Sequence, residues 1–168
     1  MFAVRFLLFF QVTGVYCQGI VWKTVINGTL PPHAFPGGTR RDRQEDTLYI
    51  CKGNYHEHEV CGKTSQKTNV CTITYVDRAI DYPAPYQVLT LPLWVPYTLR
   101  WVKGYSYGKV PPNAVEGGDM VYVGRFLNGS EVILGKVDSI NQAFFYDKDG
   151  VNEAWLKEGY DVLVKEEF

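Results

Sequence analysis

Two lysines, Lys63 and Lys136, each follow a glycine, and each has an aspartate at the same distance upstream, Asp46 and Asp119. An ammonium and a carboxylate a few ångströms apart can donate to and accept from adjacent hydroxyls of one hexose, and an aromatic such as Tyr122, Phe126 or Trp101 can cover its apolar face. As a bare ion pair at a strand end the same residues would contribute only about 0–1 kcal/mol.

Other chemistries find less support in the residues. The sequence has no His-Glu-x-x-His and no phosphate-binding loop, and none of its three histidines has a recognisable nucleophile beside it, so the chain does not read as an enzyme. His56-Glu57-His58 is the only histidine cluster and lacks a third ligand, and no two cysteines form a Cys-x-x-Cys. No metal site and no cofactor is therefore expected.

The element that must position Lys136 is a hairpin, Val121 to Leu127 and Glu131 to Val137. A turn centred on Asn128-Gly129 fixes its register. Tyr122 then lies opposite Gly135 and Val121 opposite Lys136, with Asp119 a diagonal neighbour of Lys136 on the same face, about 7 Å away. A ring laid across Gly135 would shield its bare backbone. The same arithmetic, with Tyr49 opposite Gly62, puts Asp46 and Lys63 on one face. It sends Cys51 and Cys61 to opposite faces, which leaves Cys71 as the disulfide partner of either Cys51 or Cys61.

The hairpin occurs twice because the chain is a tandem repeat. Gly28, Pro31, Pro32, Ala34, Gly37 and Gly38 recur, all displaced by one constant interval, as Gly108, Pro111, Pro112, Ala114, Gly117 and Gly118. At a slightly shorter interval Tyr49 and Gly62-Lys63 recur as Tyr122 and Gly135-Lys136, and Tyr86-Gln87-Val88-Leu89 recurs as Tyr160-Asp161-Val162-Leu163. Turn-forming clusters separate short runs rich in Val, Ile, Tyr, Phe and Thr, which signals an all-β fold. Only Val151–Lys157, closed by Gly159, has the composition of a helical turn. The division expected is residues 18–89 for the first repeat, 90–100 for a connection whose Leu91, Leu93, Trp94 and Val95 are packed away from water, and 101–168 for the second. Together they should form two tandem repeats of antiparallel hairpins in one pseudo-symmetric β-sandwich-like body.

Residues 1–17 stand apart from that body: Arg5 precedes Phe6-Leu7-Leu8-Phe9-Phe10, with small residues following, the pattern of a signal peptide cleaved after Cys17 or Gly14. The apolar run is too short for a membrane span, so no membrane insertion is expected. Cleavage at 17 leaves 16 basic against 18 acidic residues, a balance that argues against nucleic acid and anionic membranes as partners. The basic run Arg40-Arg41, followed by Asp42-Arg43, reads as a solvated loop. Asn27-Gly28-Thr29 and Asn128-Gly129-Ser130 are N-glycosylation sequons, consistent with a secreted, extracellular chain. Three cysteines survive that cleavage, so one thiol is either buried or pairs between chains as a homodimer.

The ordered set Trp, Gly-x-Val/Leu-Pro-Pro-x-Ala, Gly-Gly, Leu/Val-Tyr-Val/Ile-Gly-Arg, Gly-Lys-Val and Tyr-x-Val-Leu resembles the DM-nine repeat family over about residues 22–165. The family occurs in tandem in invertebrate proteins and in natterin-like toxins. Its characterised lectins are all-β proteins that bind mannose through an Asp shortly after the Gly-Gly and the Lys of the Gly-Lys motif. The resemblance carries those roles onto Asp119 and Lys136, with Asp46 and Lys63 as a weaker copy, because the first repeat has Cys51-Lys52 for Gly-Arg and Thr39 after its Gly-Gly. It implies a secreted lectin for mannose-type glycans, in a setting of innate defence. The alternative is a secreted structural or protein-interaction module that has lost the sugar.

Overall fold

In the computed structural model, residues 19–40, 46–148 and 150–168 are described, and they form strands and turns with no helix. Residues 1–17, expected to be a signal peptide, and Arg41–Arg43 lie outside the described residues.

The first repeat contains β1 (Val21–Val25), β2 (Pro36–Arg40), β3 (Asp46–Tyr55), β4 (His58–Thr64), β5 (Cys71–Tyr75), β6 (Arg78–Tyr82) and β7 (Tyr86–Thr90). Their order across the sheet is β1-β7-β3-β4-β5-β6, with β2 paired to β3. The second repeat contains β8 (Tyr97–Lys103), β9 (Glu116–Gly118), β10 (Val121–Asn128), β11 (Glu131–Asp138), β12 (Ala143–Asp147), β13 (Glu153–Leu156) and β14 (Tyr160–Glu167). Its order, β8-β14-β10-β11-β12-β13 with β9 on β10, repeats the first strand for strand. The protein is thus all-β, two antiparallel seven-stranded sheets in a sandwich-like body.

A shared core joins the sheets: Leu48, Ile50 and Cys61 from the first repeat meet Val123, Leu134 and Leu163 from the second. The Gly-Gly pairs explain how the layers come so close. A Cβ at Gly37 would sit 2.6 Å from Leu134 Cδ1, and one at Gly38 would overlap Val132 Cγ1. Reciprocally, a Cβ at Gly117 would overlap Cys61 Sγ, and one at Gly118 would overlap the Glu59 carbonyl oxygen. Each repeat therefore lays its Gly-Gly strand against the other repeat's central hairpin, and at matching places: Cys61 and Leu134 are equivalent by the Tyr49–Tyr122 interval, as are Glu59 and Val132.

Each repeat also has a private core, and here the repeats use different chemistry. Cys51 and Cys71 are joined by a disulfide that ties β3 to β5, and Cys61 remains a buried thiol. At the equivalent places in the second repeat stand Gly124 and Phe144. The Phe144 ring occupies the space over two glycines: added Cβ atoms at Gly124 and Gly135 would lie 2.9 and 2.8 Å from it. The ring that covers Gly135 is thus Phe144 of the neighbouring strand and not Tyr122, which lies opposite Val137.

Three local expectations are corrected. The β10–β11 turn is Gly129-Ser130, with Asn128 opposite Glu131, so the register moves by two residues. Gly129, at φ +61°, takes the first central position, where a type II′ turn places its glycine. The β3–β4 turn is likewise His56-Glu57, both at positive φ, which puts Tyr49 opposite Thr64. Val151–Lys157 forms no helical turn, because its middle is strand β13 paired to β12. In the connection Val95 is buried and Leu91 partly so, while Leu93 and Trp94 stand exposed at a turn tip between Pro92 and Pro96.

Candidate functional site

Lys136 follows the core-facing Leu134 by two residues on β11, so strand alternation aims it along the inter-sheet face. Its aliphatic stem runs out at the edge of that core and its amine emerges against the other repeat. Nζ donates to the Thr74 carbonyl oxygen at 2.5 Å and lies 3.4 Å from Glu153 Oε2. It also faces the rings of Phe145 and Tyr75, at 5.4 and 5.9 Å from their centroids. Both charged side chains are nearly enclosed, with 8% of Lys136 and 5% of Glu153 exposed.

Glu153 reaches this place because β12 lies between β13 and β11, and its other oxygen, Oε1, accepts from the Asp77 amide at 3.4 Å. Oε2 is buried and accepts no hydrogen bond from the described residues. The Lys136 ammonium offsets part of the solvation this buried oxygen has lost, and its hydrogen-bonding capacity is left unfilled by the described residues.

The registers add an aromatic wall. Lys136 lies opposite Phe145, and Phe145 opposite Trp155, so amine and two rings form one row across β11, β12 and β13. The cleft they line, about 690 Å³, also receives Asp138 and Asn141. Asp138 is occupied in shaping its own turn, since Oδ1 accepts from the Ile140 and Asn141 amides at 2.9 and 2.8 Å.

The first repeat has the related cleft with a different lining. Lys63 Nζ pairs with Asp147 Oδ2 of the second repeat at 2.9 Å. The matching row is Lys63, Thr72 and Asp81, in which the Thr72 hydroxyl donates to Asp81 at 2.7 Å. This row is polar where that of Lys136 is aromatic, and the rings at the Lys63 cleft, Phe126 and Tyr146, come from the second repeat.

Of the two aspartates expected to accompany the lysines, Asp46 shares a cleft with its lysine and Asp119 does not. With Val123 opposite Lys136, Asp119 lies beyond the start of β10, exposed in the β9–β10 turn, and does not line the Lys136 cleft. The carboxylate at Lys136 is Glu153. Asp46 does line the same cleft as Lys63, but Lys63 pairs with Asp147. Among the aromatics, Phe126 borders the Lys63 cleft, Tyr122 packs in its own repeat, and the ring of Trp101 lies 4.6 Å beneath Arg125.

Asn27 and Asn128 are exposed, and Asn128 borders the Lys63 cleft. His56 and Glu57 make a hairpin turn, and no group of three metal-ligating side chains gathers among the described residues. Nor is any helix of the described residues long and apolar enough to cross a membrane.

Comparison with solved structures finds the nematode sperm cell motility protein MFP2B, at a TM-score of 0.62 and 12% identity, over 89% of this chain and 44% of that one. The chain therefore spans less than half of that protein's length, and at this identity the likeness is one of fold. No curated protein matches the chain. The DM9 repeat profile matches twice, over residues 10–82 and 42–137, most of the chain. With the repeated strand order and the paired Gly-Gly and Gly-Lys elements, these matches identify the chain as a member of the DM9 repeat family.

Proposed function

We propose that the protein is a carbohydrate-binding module, a secreted lectin for mannose-type glycans, whose principal site is the Lys136 cleft. The observation that carries the reading is the buried Glu153 Oε2, ion-paired with the Lys136 ammonium but accepting no hydrogen bond, beside the Phe145–Trp155 wall. One sugar hydroxyl donates to Glu153 while its neighbour accepts from Lys136, and the apolar face of the ring lies against an indole. Binding leaves the sugar chemically unchanged, so the reading is of a receptor and not of an enzyme. Secretion is supported by the leader pattern, the exposed sequons and the disulfide in the first repeat. A role in innate defence extends the same reading.

Titration of the secreted protein with methyl α-mannoside, with and without calcium, tests it: saturable, calcium-independent binding supports the proposal, and no heat at any attainable concentration defeats it. A second reading, a protein-interaction module, is favoured by the exposed Leu93-Trp94 tip. It would show as partner binding that Trp94→Ala abolishes and mannoside leaves untouched.

A further inference from the structure

The aromatic wall does not stop at the cleft. Lys157 Nζ lies between two rings, 5.8 Å from the centroid of Trp155 and 5.7 Å from that of Tyr107, and the Tyr107 amide donates to the Lys157 carbonyl oxygen at 2.8 Å. Beyond Tyr107 a second depression is lined by Tyr105, Ser139 and Gln142. The short turn that carries Ser139 and Gln142 also carries Asn141, which borders the first cleft. Trp155, Tyr107 and Tyr105 are 57%, 54% and 56% exposed.

We infer that Trp155, Tyr107 and Tyr105 form a shelf of further subsites that extends the Lys136 cleft, and that its occupant is an oligosaccharide of hexoses. The inference rests on the carbohydrate-binding reading of the cleft and adds to it the length of the ligand and the direction in which it lies. Exposed rings alternating with amide, hydroxyl and ammonium groups suit a chain of pyranoses, each with apolar faces and a hydroxylated rim.

The shelf is held rigid. The buried Tyr160 hydroxyl donates to the Tyr105 carbonyl oxygen and accepts from the Gly108 amide at 3.1 Å, and Ser139 Oγ donates to the Gly108 carbonyl at 2.9 Å. Tyr107 is kept at φ +60°, a conformation that bulky residues rarely adopt.

The first repeat supplies the contrast. Its position corresponding to Tyr107, by the interval that relates Gly28 to Gly108, is Asn27, and its cleft has Asp81 in the place of Trp155. The counterpart of Tyr105 is Val25, so all three rings of the shelf are particular to the second repeat, and only one of the two clefts is extended.

The test compares methyl α-mannoside with an α-linked mannotriose by calorimetry, on the wild type, Trp155→Ala and Tyr107→Asn. The last substitution installs the first repeat's residue, which tolerates positive φ, and its fold is checked by circular dichroism. The wild type should bind the trisaccharide about tenfold more tightly than the monosaccharide, the gain of one or two ring contacts. Tyr107→Asn should remove most of that gain and leave the monosaccharide within about twofold, while Trp155→Ala should weaken both ligands. Equal affinities for the two sugars in the wild type, or a trisaccharide gain that survives Tyr107→Asn, overturns the shelf while the cleft stands. If neither sugar binds, both the cleft and the shelf fall.

Discussion

Lys136 donates to the main-chain oxygen of Thr74 across the boundary between the repeats, and its counterpart in the first repeat, Lys63, reaches Asp147 in the opposite sense. Thr74 and Asp147 are themselves equivalent positions, separated by the same interval as the two lysines. The lysine of each Gly-Lys motif is therefore completed by the other repeat, and each cleft exists only in the assembled pair. Separation of the repeats would strand two buried or half-buried ammonium groups.

One cooperative unit follows from that exchange and from the Gly-Gly contacts. Gly37→Ala forces a methyl group to within 2.6 Å of Leu134 Cδ1 and should cost about 1–3 kcal/mol of stability. In a Leu134→Ala background the same change should cost less, a coupling that a double-mutant cycle in urea measures directly. A single unfolding transition for all variants is expected, and two separate transitions would contradict the shared core.

The disulfide closes a span of 20 residues between Cys51 and Cys71. Cys51→Ala/Cys71→Ala should lose about 3 kcal/mol by the loop-closure estimate. The second repeat reaches the same end without sulfur, so Phe144→Ala should be comparably harmful, at about 3–5 kcal/mol. Chemical denaturation of the two variants provides the comparison.

Burial pushes the Cys61 thiol up to about 12, although the nearby charge of Lys136 acts in the opposite direction. Between the unfolded thiol's ordinary value near 8.5 and that raised value, the unfolded chain has lost a proton that the folded chain keeps. Stability should therefore be undiminished below about pH 8 and fall as pH rises above it, at about 1.4 kcal/mol per unit for one such group. The buried phenols of Tyr97 and Tyr160 are raised in the same direction and steepen the fall above about pH 10. Cys61→Ala should flatten the slope between about pH 8.5 and 10, and native Cys61 should resist thiol reagents until the protein unfolds.

Asn27 and Asn128 are exposed at turns and should both carry glycans in protein secreted from a eukaryotic host. Mass spectrometry before and after glycosidase treatment checks this, with Asn27→Gln and Asn128→Gln each removing one increment.

Which features were legible in the sequence follows from how local their causes are. The all-β class, the doubled plan and the separation of Cys51 from Cys61 depend on spacing and alternation, and a two-residue slip in register leaves the faces unchanged. The slip did move Asp119 away from Lys136, because Asn128-Gly129 attracts the turn by composition while the chain turns one residue later. In the first repeat His56-Glu57-His58 reads as a polar hairpin loop, and the turn falls on His56-Glu57, one residue beyond the place that pairing Tyr49 with Gly62 requires. Glu153 stayed hidden for a longer-range reason. It sits in a stretch of helix-like composition and meets Lys136 only because β12 lies between their strands. Leu93 and Trp94 looked like core residues, but flanking Pro92 and Pro96 turn the chain outward there.

The central claim is that Glu153 and Lys136 together hold the sugar. Calorimetric titration of methyl α-mannoside into Glu153→Gln, Lys136→Met and Asp119→Ala, each first checked for a native thermal transition, tests it most directly. Glu153→Gln and Lys136→Met should each weaken binding by about 1–3 kcal/mol, the cost of leaving one hydroxyl partner unmatched, and Asp119→Ala should bind as the wild type does. Wild-type affinity in a folded Glu153→Gln, or its loss in Asp119→Ala, would contradict the account.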